Sequence, residues 1–98
     1  MKEIRKTAQF AKWFNALKDR RAKIRIQIRI DRLEMGHYGD VESVGEGVRE
    51  LRIFHGPGYR VYFVEKGSVV VILLVGGDKS TQATDIVKAK ALARGLEE

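Results

Sequence analysis

Six residues between positions 50 and 79 carry groups suited to work on a phosphate: Glu50, Arg52, His55, Arg60, Tyr62 and Lys79. Four of them lie in two segments, VRELRIF and GYRVYFVEK, that alternate apolar and polar residues as half-buried strands do. Leu51 and Ile53 of the first, and Tyr59, Val61 and Phe63 of the second, must share the core face, with Arg49 beside them where the first strand begins. Opposed residues of an antiparallel pair lie on one face, so Leu51 faces Val61 and Ile53 faces Tyr59. Arg52 then stands opposite Arg60, and Glu50 opposite Tyr62. Like charges directly opposed cost a few tenths to about 1 kcal/mol. Two arginines held this way either form an anion site or are neutralised by Glu50 and solvent; residue types alone weigh the two equally.

Were the anion an RNA phosphate, such groups could serve metal-free cleavage, in which the neighbouring 2′-hydroxyl attacks the phosphate. One group must accept a proton, another must help the 5′-oxygen leave, and cations must offset charge growing on the phosphate. Arg52 and Arg60 suit the last task because guanidinium forks match phosphate geometry. Tyr62 could orient or donate a proton, stack on a base, or simply pack on its neighbours. Glu50, the one carboxylate on this face, is a base or the partner of an arginine. His55, in the loop Phe54–Gly58, titrates in a useful range, or is merely exposed. Lys79, beside a helix N-terminus, suits a phosphate contact, or pairs with Asp78 or Asp85.

The elements that must position these groups follow from patterning. Val69 to Val75 is an unbroken apolar run, the mark of a strand covered on both sides. Gly76 and Gly77 are expected to turn the chain. Ser80 or Thr81 would cap a last helix with Asp85 in its first turn, a weak stripe of Ala83, Ile86, Ala89 or Lys90, and Leu92, and a stop at Gly95. At the other end, Met1 to Lys6 reads as a short edge strand. Thr7 reads as the N-cap of a helix from Ala8 to about Leu17, with Phe10, Trp13, Phe14 and Leu17 as its core stripe.

Residues 20–35 carry two patterns. KIRIQIRID alternates as a strand does, with Ile24, Ile26, Ile28 and Ile30 at every second position. On a helix, Ala22, Ile26, Ile30 and Leu33 share one face, Ile24, Ile28 and Met35 the opposite one, and Arg21, Arg25, Arg29 and Arg32 a flank. More than a dozen residues without Gly or Pro favour the helix, and Gly36 supplies its stop. The second apolar face then needs a cover, and Ile24, Ile28 and Met35 are where a protein partner would dock. Residues 36–47 hold four glycines and read as a loop, with His37 and Tyr38 on the surface.

With 98 residues the chain is long enough for one domain, burying about 60–70% of its unfolded surface. It has no cysteine, so neither disulfides nor thiolate chemistry. Two histidines make a structural zinc site unexpected, and neither a metal nor another cofactor is called for. No apolar stretch nears the roughly 20 residues of a membrane span, and no signal peptide is visible, so the expected location is the cytoplasm. The formal charge of +6 is concentrated: residues 1–35 hold 11 Lys and Arg against 4 acids. Such a surface favours RNA, a ribosome or an acidic protein partner. The order strand, two helices, three strands, helix argues an α+β domain, with helices on one face of a small antiparallel sheet. The other face is expected to be an open hollow carrying Glu50, Arg52, Arg60 and Tyr62.

Across nearly its whole length the sequence resembles the RelE/ParE superfamily of toxins from type II toxin–antitoxin modules, and more closely the HigB-like addiction module killer proteins. The likeness rests on Phe10 and Trp13, the repeated Arg-Ile of residues 25–33, Gly45-Glu46-Gly47-Val48, Glu50-Leu51-Arg52-Ile53, the run from Gly56 to Phe63, and Gly76-Gly77-Asp78-Lys79-Ser80-Thr81-Gln82. It implies a RelE-like fold in which residues 20–35 are helical. It also implies a toxin held inactive by a cognate helix-turn-helix antitoxin. Many members cut mRNA on the ribosome, while ParE relatives poison DNA gyrase. Positions matching the basic, tyrosine-bearing face of the ribosome-dependent members are Arg52, Arg60 and Tyr62, with Lys79. The chain departs from the RelE pattern in its last helix, which offers no tyrosine or histidine for acid–base work.

Overall fold

Thr7 joins the first two elements and pins them to the centre of the sheet. Its hydroxyl oxygen accepts from the Phe10 amide at 3.0 Å, capping the first helix, and donates to the Leu74 carbonyl at 2.6 Å. The computed structural model describes residues 1–96. Strand β1 (Glu3–Lys6) leads into helices α1 (Ala8–Ala16) and α2 (Arg20–Glu34). Strands β2 (Val41–Gly45), β3 (Val48–Ile53), β4 (Tyr59–Lys66) and β5 (Val70–Asp78) follow, then a single 3₁₀ turn, Lys79–Thr81, and helix α3 (Gln82–Gly95). The five strands form one sheet in the order β1-β5-β4-β3-β2, with β1 parallel to β5 and every other pair antiparallel. No helix among the described residues is long and apolar enough to cross a membrane.

Residues 20–35 are a helix despite their alternation. Asp19 caps it by accepting from the Arg21 and Ala22 amides at 3.0 and 3.2 Å. Ala22, Ile26, Ile30 and Leu33 are buried at helical spacing, and Gly36, at φ +83°, ends the run in a conformation that suits glycine. Ile26, Ile30 and Leu33 pack with Phe10, Leu51, Ile53, Val61, Phe63, Val71 and Leu73 in a core between the first two helices and the sheet. The β3–β4 register is the one that alternation requires: Leu51 pairs with Val61, Ile53 with Tyr59, Arg52 with Arg60 and Glu50 with Tyr62.

The helices do not share one face. A second core, built from Val48, Tyr62, Val64, Ile72, Leu74, Val75, Ala89 and Ala93, lies between the opposite face and α3. A register shift between Tyr62 and Phe63 skips Leu74 in the pairing, so Leu74 and Val75 both serve this core. Alanines at positions 89 and 93 let the helix lie close on the sheet. The open hollow of the sequence reading is therefore largely covered.

Four local expectations also change. Part of the glycine-rich stretch 36–47 forms β2, which pairs Val41 with Leu51 and Glu42 with Glu50. Gly76 and Gly77 do not turn the chain but continue β5, where a Cβ at Gly76 would overlap the Trp13 ring and one at Gly77 the Asp85 carboxylate and the Thr81 hydroxyl. Thr81 stands at the N-cap of α3, one of the two positions expected, but makes no capping bond and instead donates to Asp85 at 2.6 Å; the capping bond, to the Ser80 amide at 2.8 Å, comes from Asp78 at the start of the 3₁₀ turn. Tyr38 is no bare surface residue. Its ring stacks on Phe63 at 6.4 Å and its hydroxyl donates to Glu65 at 2.6 Å, whereas His37 is exposed as expected.

Candidate functional site

The register of β3 and β4 places Arg52 and Arg60 side by side on the α3 side of the sheet. Neither is free. Arg60 is 13% exposed; its Nη1 donates to the Gly58 carbonyl at 2.7 Å and its Nε lies 3.6 Å from Glu50 Oε2. Arg52 is 34% exposed, and its Nη2 reaches Asp40 at 3.2 Å and Glu42 at 3.0 Å. The Nε of each arginine is buried with no acceptor in hydrogen-bond range, as is one oxygen of Asp40. A buried N–H without an acceptor is costly, and it is uncommon in a settled core. Two of them stand on adjacent guanidinium groups, donors that an anion's oxygens could satisfy only if the neighbouring side chains gave way.

Beneath this pair the sheet face is sealed. Glu50 is 2% exposed and Tyr62 fully buried. Glu50 Oε2 accepts from the Tyr62 hydroxyl and from Gln82 Nε2, both at 2.8 Å. Burial, and then the adjacent Glu50 carboxylate, push the Tyr62 hydroxyl well above the ordinary tyrosine range, so it stays protonated and donating. Expectations that Tyr62 offers an open ring for stacking, and that Glu50 faces solvent, are thus corrected. Both sit under the N-terminal turn of α3 and hold Arg60 from below.

Lys79 and His55 stand at the end of the sheet where the β3–β4 loop meets that turn. The Lys79 amide donates to the Pro57 carbonyl at 3.4 Å. Its exposed ammonium has neither Asp78 nor Asp85 within ion-pair distance. His55 is 19% exposed, with Nε2 3.0 Å from Asp19 Oδ2 and its ring stacked on Tyr59. The Ala22 amide, and then His55, hold the Asp19 carboxylate below its usual range. A carboxylate that fixes an imidazole is the arrangement general acid–base chemistry uses.

Sequence reasoning missed the supporting residues. Arg29, read only as a flank of α2, donates to the carbonyl of Arg52 itself and to those of Tyr38 and Asp40 at 3.0 and 3.1 Å. Asp40 and Glu42 were hidden in a stretch without period, Asp19 showed only as a residue before a helix, and Gln82 carried no charge to mark it. Ile24 and Ile28 on α2, and Met35 at its C-terminal cap, are 60, 42 and 63% exposed in the helix layer behind the other face of the sheet.

A family model described as phage-derived protein Gp49-like (DUF891) matches residues 12–95. A protein of Haemophilus influenzae, described as an uncharacterized protein, is 52% identical over 94 residues, which span 96% of this chain and 95% of its own.

Proposed function

From the premise that the chain belongs to the Gp49-like phage-derived family, a family of addiction-module toxins, we propose that it is the toxin of a type II toxin–antitoxin module and cleaves mRNA on the ribosome. The observation that carries the chemical part is the Arg52–Arg60 pair, with two buried Nε–H groups lacking acceptors. A phosphodiester reaching these guanidinium groups would take the place that Glu42 now holds on Arg52, Glu42 being 60% exposed and free to swing away. Both guanidinium groups would then stabilise charge growing on the phosphate as the 2′-hydroxyl attacks. Lys79 would contact a neighbouring phosphate. His55 is held by Asp19 and Tyr59 on the α1–α2 side of the sheet, opposite the arginine pair, so it would contact RNA beyond the scissile phosphate, and the 2′-hydroxyl proton and the proton for the leaving 5′-oxygen would pass through solvent or a group of the ribosome. Tyr62, Glu50 and Gln82 act through Arg60 by setting its position. No metal enters this scheme. So small a domain offers few groups to orient a long substrate, and the ribosome would supply that geometry.

A cognate antitoxin of helix-turn-helix type is the partner that the family likeness suggests. Replacing Arg60 with Ala is expected to abolish growth arrest on induction while the antitoxin still binds. Full toxicity in that variant would remove the pair from the mechanism. One observation favours a second reading: α3 carries no tyrosine or histidine. A non-catalytic toxin that inhibits DNA gyrase would produce DNA breaks on induction and leave transcript ends unchanged.

A further inference from the structure

The outward face of α2 is apolar, rimmed with unpaired positive charge, and on the side of the sheet opposite the Arg52 and Arg60 side chains. Ile24, Ile28 and Met35 expose 60, 42 and 63% of their surface there, and Phe54 of the β3–β4 loop exposes 81% beside them. Two hollows flank Ile28, one reaching Arg25 and Phe54, the other Met35 and His37; Arg32 borders both. Arg25 and Arg32 are exposed, and no acid among the described residues lies within ion-pair distance of either. The one acid lining a hollow, Asp31, accepts from Gln27 at 2.9 Å.

We infer that this face receives an acidic amphipathic helix of the antitoxin, with one apolar side chain in each hollow and carboxylates against Arg25 and Arg32. Ile24 to Met35 spans about 16 Å at 1.5 Å rise per residue, which a partner helix of about three turns would cover. A helical surface has no free strand edge, so strand addition is not open to the partner here. Charge decides between occupants. A second copy would set arginines against arginines in a chain of net charge +6, and nucleic acid would leave the isoleucines and methionine wet. Only an acidic, apolar-faced helix satisfies both parts of the surface. The partner's identity as an antitoxin rests on the toxin reading above; the surface does not.

The test uses the full chain and its cognate antitoxin. Affinity is measured for the wild type, Ile28→Glu, the Arg25→Glu/Arg32→Glu double variant, and Val87→Glu as a control on an exposed apolar residue of α3. Amide hydrogen exchange maps the bound surface. The expected result is at least tenfold weaker binding for Ile28→Glu and for the double variant, none for Val87→Glu, and protection over residues 24–35 in the wild-type complex. The double variant changes only exposed charges and covers the case in which Ile28→Glu unfolds. Unchanged affinity of the double variant, or protection confined to other elements, overturns the inference. So does a free chain that is dimeric through this face, or an RNA footprint on Arg25 and Arg32. Growth arrest by the wild type together with an unaffected complex sinks this inference alone. Absence of arrest, with the acidic helix still seated on α2, sinks the toxin reading alone. Failure of the wild-type chain to bind the antitoxin counts against both.

Discussion

Glu50 and Tyr62 face each other across β3 and β4 and share a hydrogen bond of 2.8 Å beneath α3. A carboxylate buried to this degree depends on its donors, and Tyr62 is one of two hydrogen-bonded to it. Replacing Tyr62 with Phe keeps the ring and removes the donor. Leaving a buried acceptor short of a partner costs about 1–3 kcal/mol, which urea denaturation would show as a lower midpoint at unchanged slope. Growth arrest is expected to survive at temperatures where the variant is folded. Loss of arrest without loss of stability would return Tyr62 to a direct role.

Gly77 is required by space rather than by backbone conformation. A methyl group there meets the Asp85 carboxylate and the Thr81 hydroxyl, so Gly77→Ala must push the start of α3 off the sheet. Overpacking of this kind costs about 1–3 kcal/mol or more, and for a domain of this size each kcal/mol lowers Tm by about 4–8 °C. Fluorescence of Trp13, which packs against the neighbouring Gly76, reports the shift directly. A Tm within a degree of wild type would mean that α3 is not held where the structure has it.

Acid sensitivity should trace in part to Glu65. Burial opposes its charge, yet the Tyr38 hydroxyl at 2.6 Å and Lys2 at 3.0 Å, with Arg49 at 3.2 Å, hold its carboxyl below the usual range. A depressed folded value contributes stability that is complete above the unfolded value of about 4.3 and is lost as pH falls through the folded value. The stability gap between wild type and Glu65→Gln is therefore expected to be constant near neutrality and to close below about pH 4. Parallel stability curves down to pH 2.5 would contradict this.

Arg29 ties α2 to the site by donating to the carbonyls of Arg52, Tyr38 and Asp40. Arg29→Met retains much of the stem packing and loses all three bonds. Stability should fall by about 1.5–3 kcal/mol, since hydrogen bonds from a charged group carry that much each and water replaces part of them. Arrest at equal protein level should weaken as well, because Asp40 and Arg52 lose their common tether. A destabilised variant with undiminished arrest would show that the tether is structural only.

How far the sequence could be read depended on whether a residue's partner left a mark on its pattern. The cross-strand placement of Arg52 and Arg60 was legible because alternation in β3 and β4 admits one register. The helical state of residues 20–35 was legible from length, even though isoleucine at every second position imitates a strand. The covering of Glu50 and Tyr62 was not legible. Packing of α3 runs through Ala89, Ala93 and the space at Gly77, small residues that leave almost no apolar stripe. β2 was hidden for a related reason: Val41 and Val44 are its apolar members, among four glycines that read as loop. The His55–Asp19 contact joins a loop to a helix cap 36 residues away, a distance that no local pattern encodes.

The most direct measurement is the mapping of transcript 5′ ends after brief induction of the wild-type chain and of Arg60→Ala, each with and without translating ribosomes. The account predicts new ends inside open reading frames for the wild type alone, and only while translation runs. Arrest by the wild type with no new ends, or the same ends in Arg60→Ala, would contradict it.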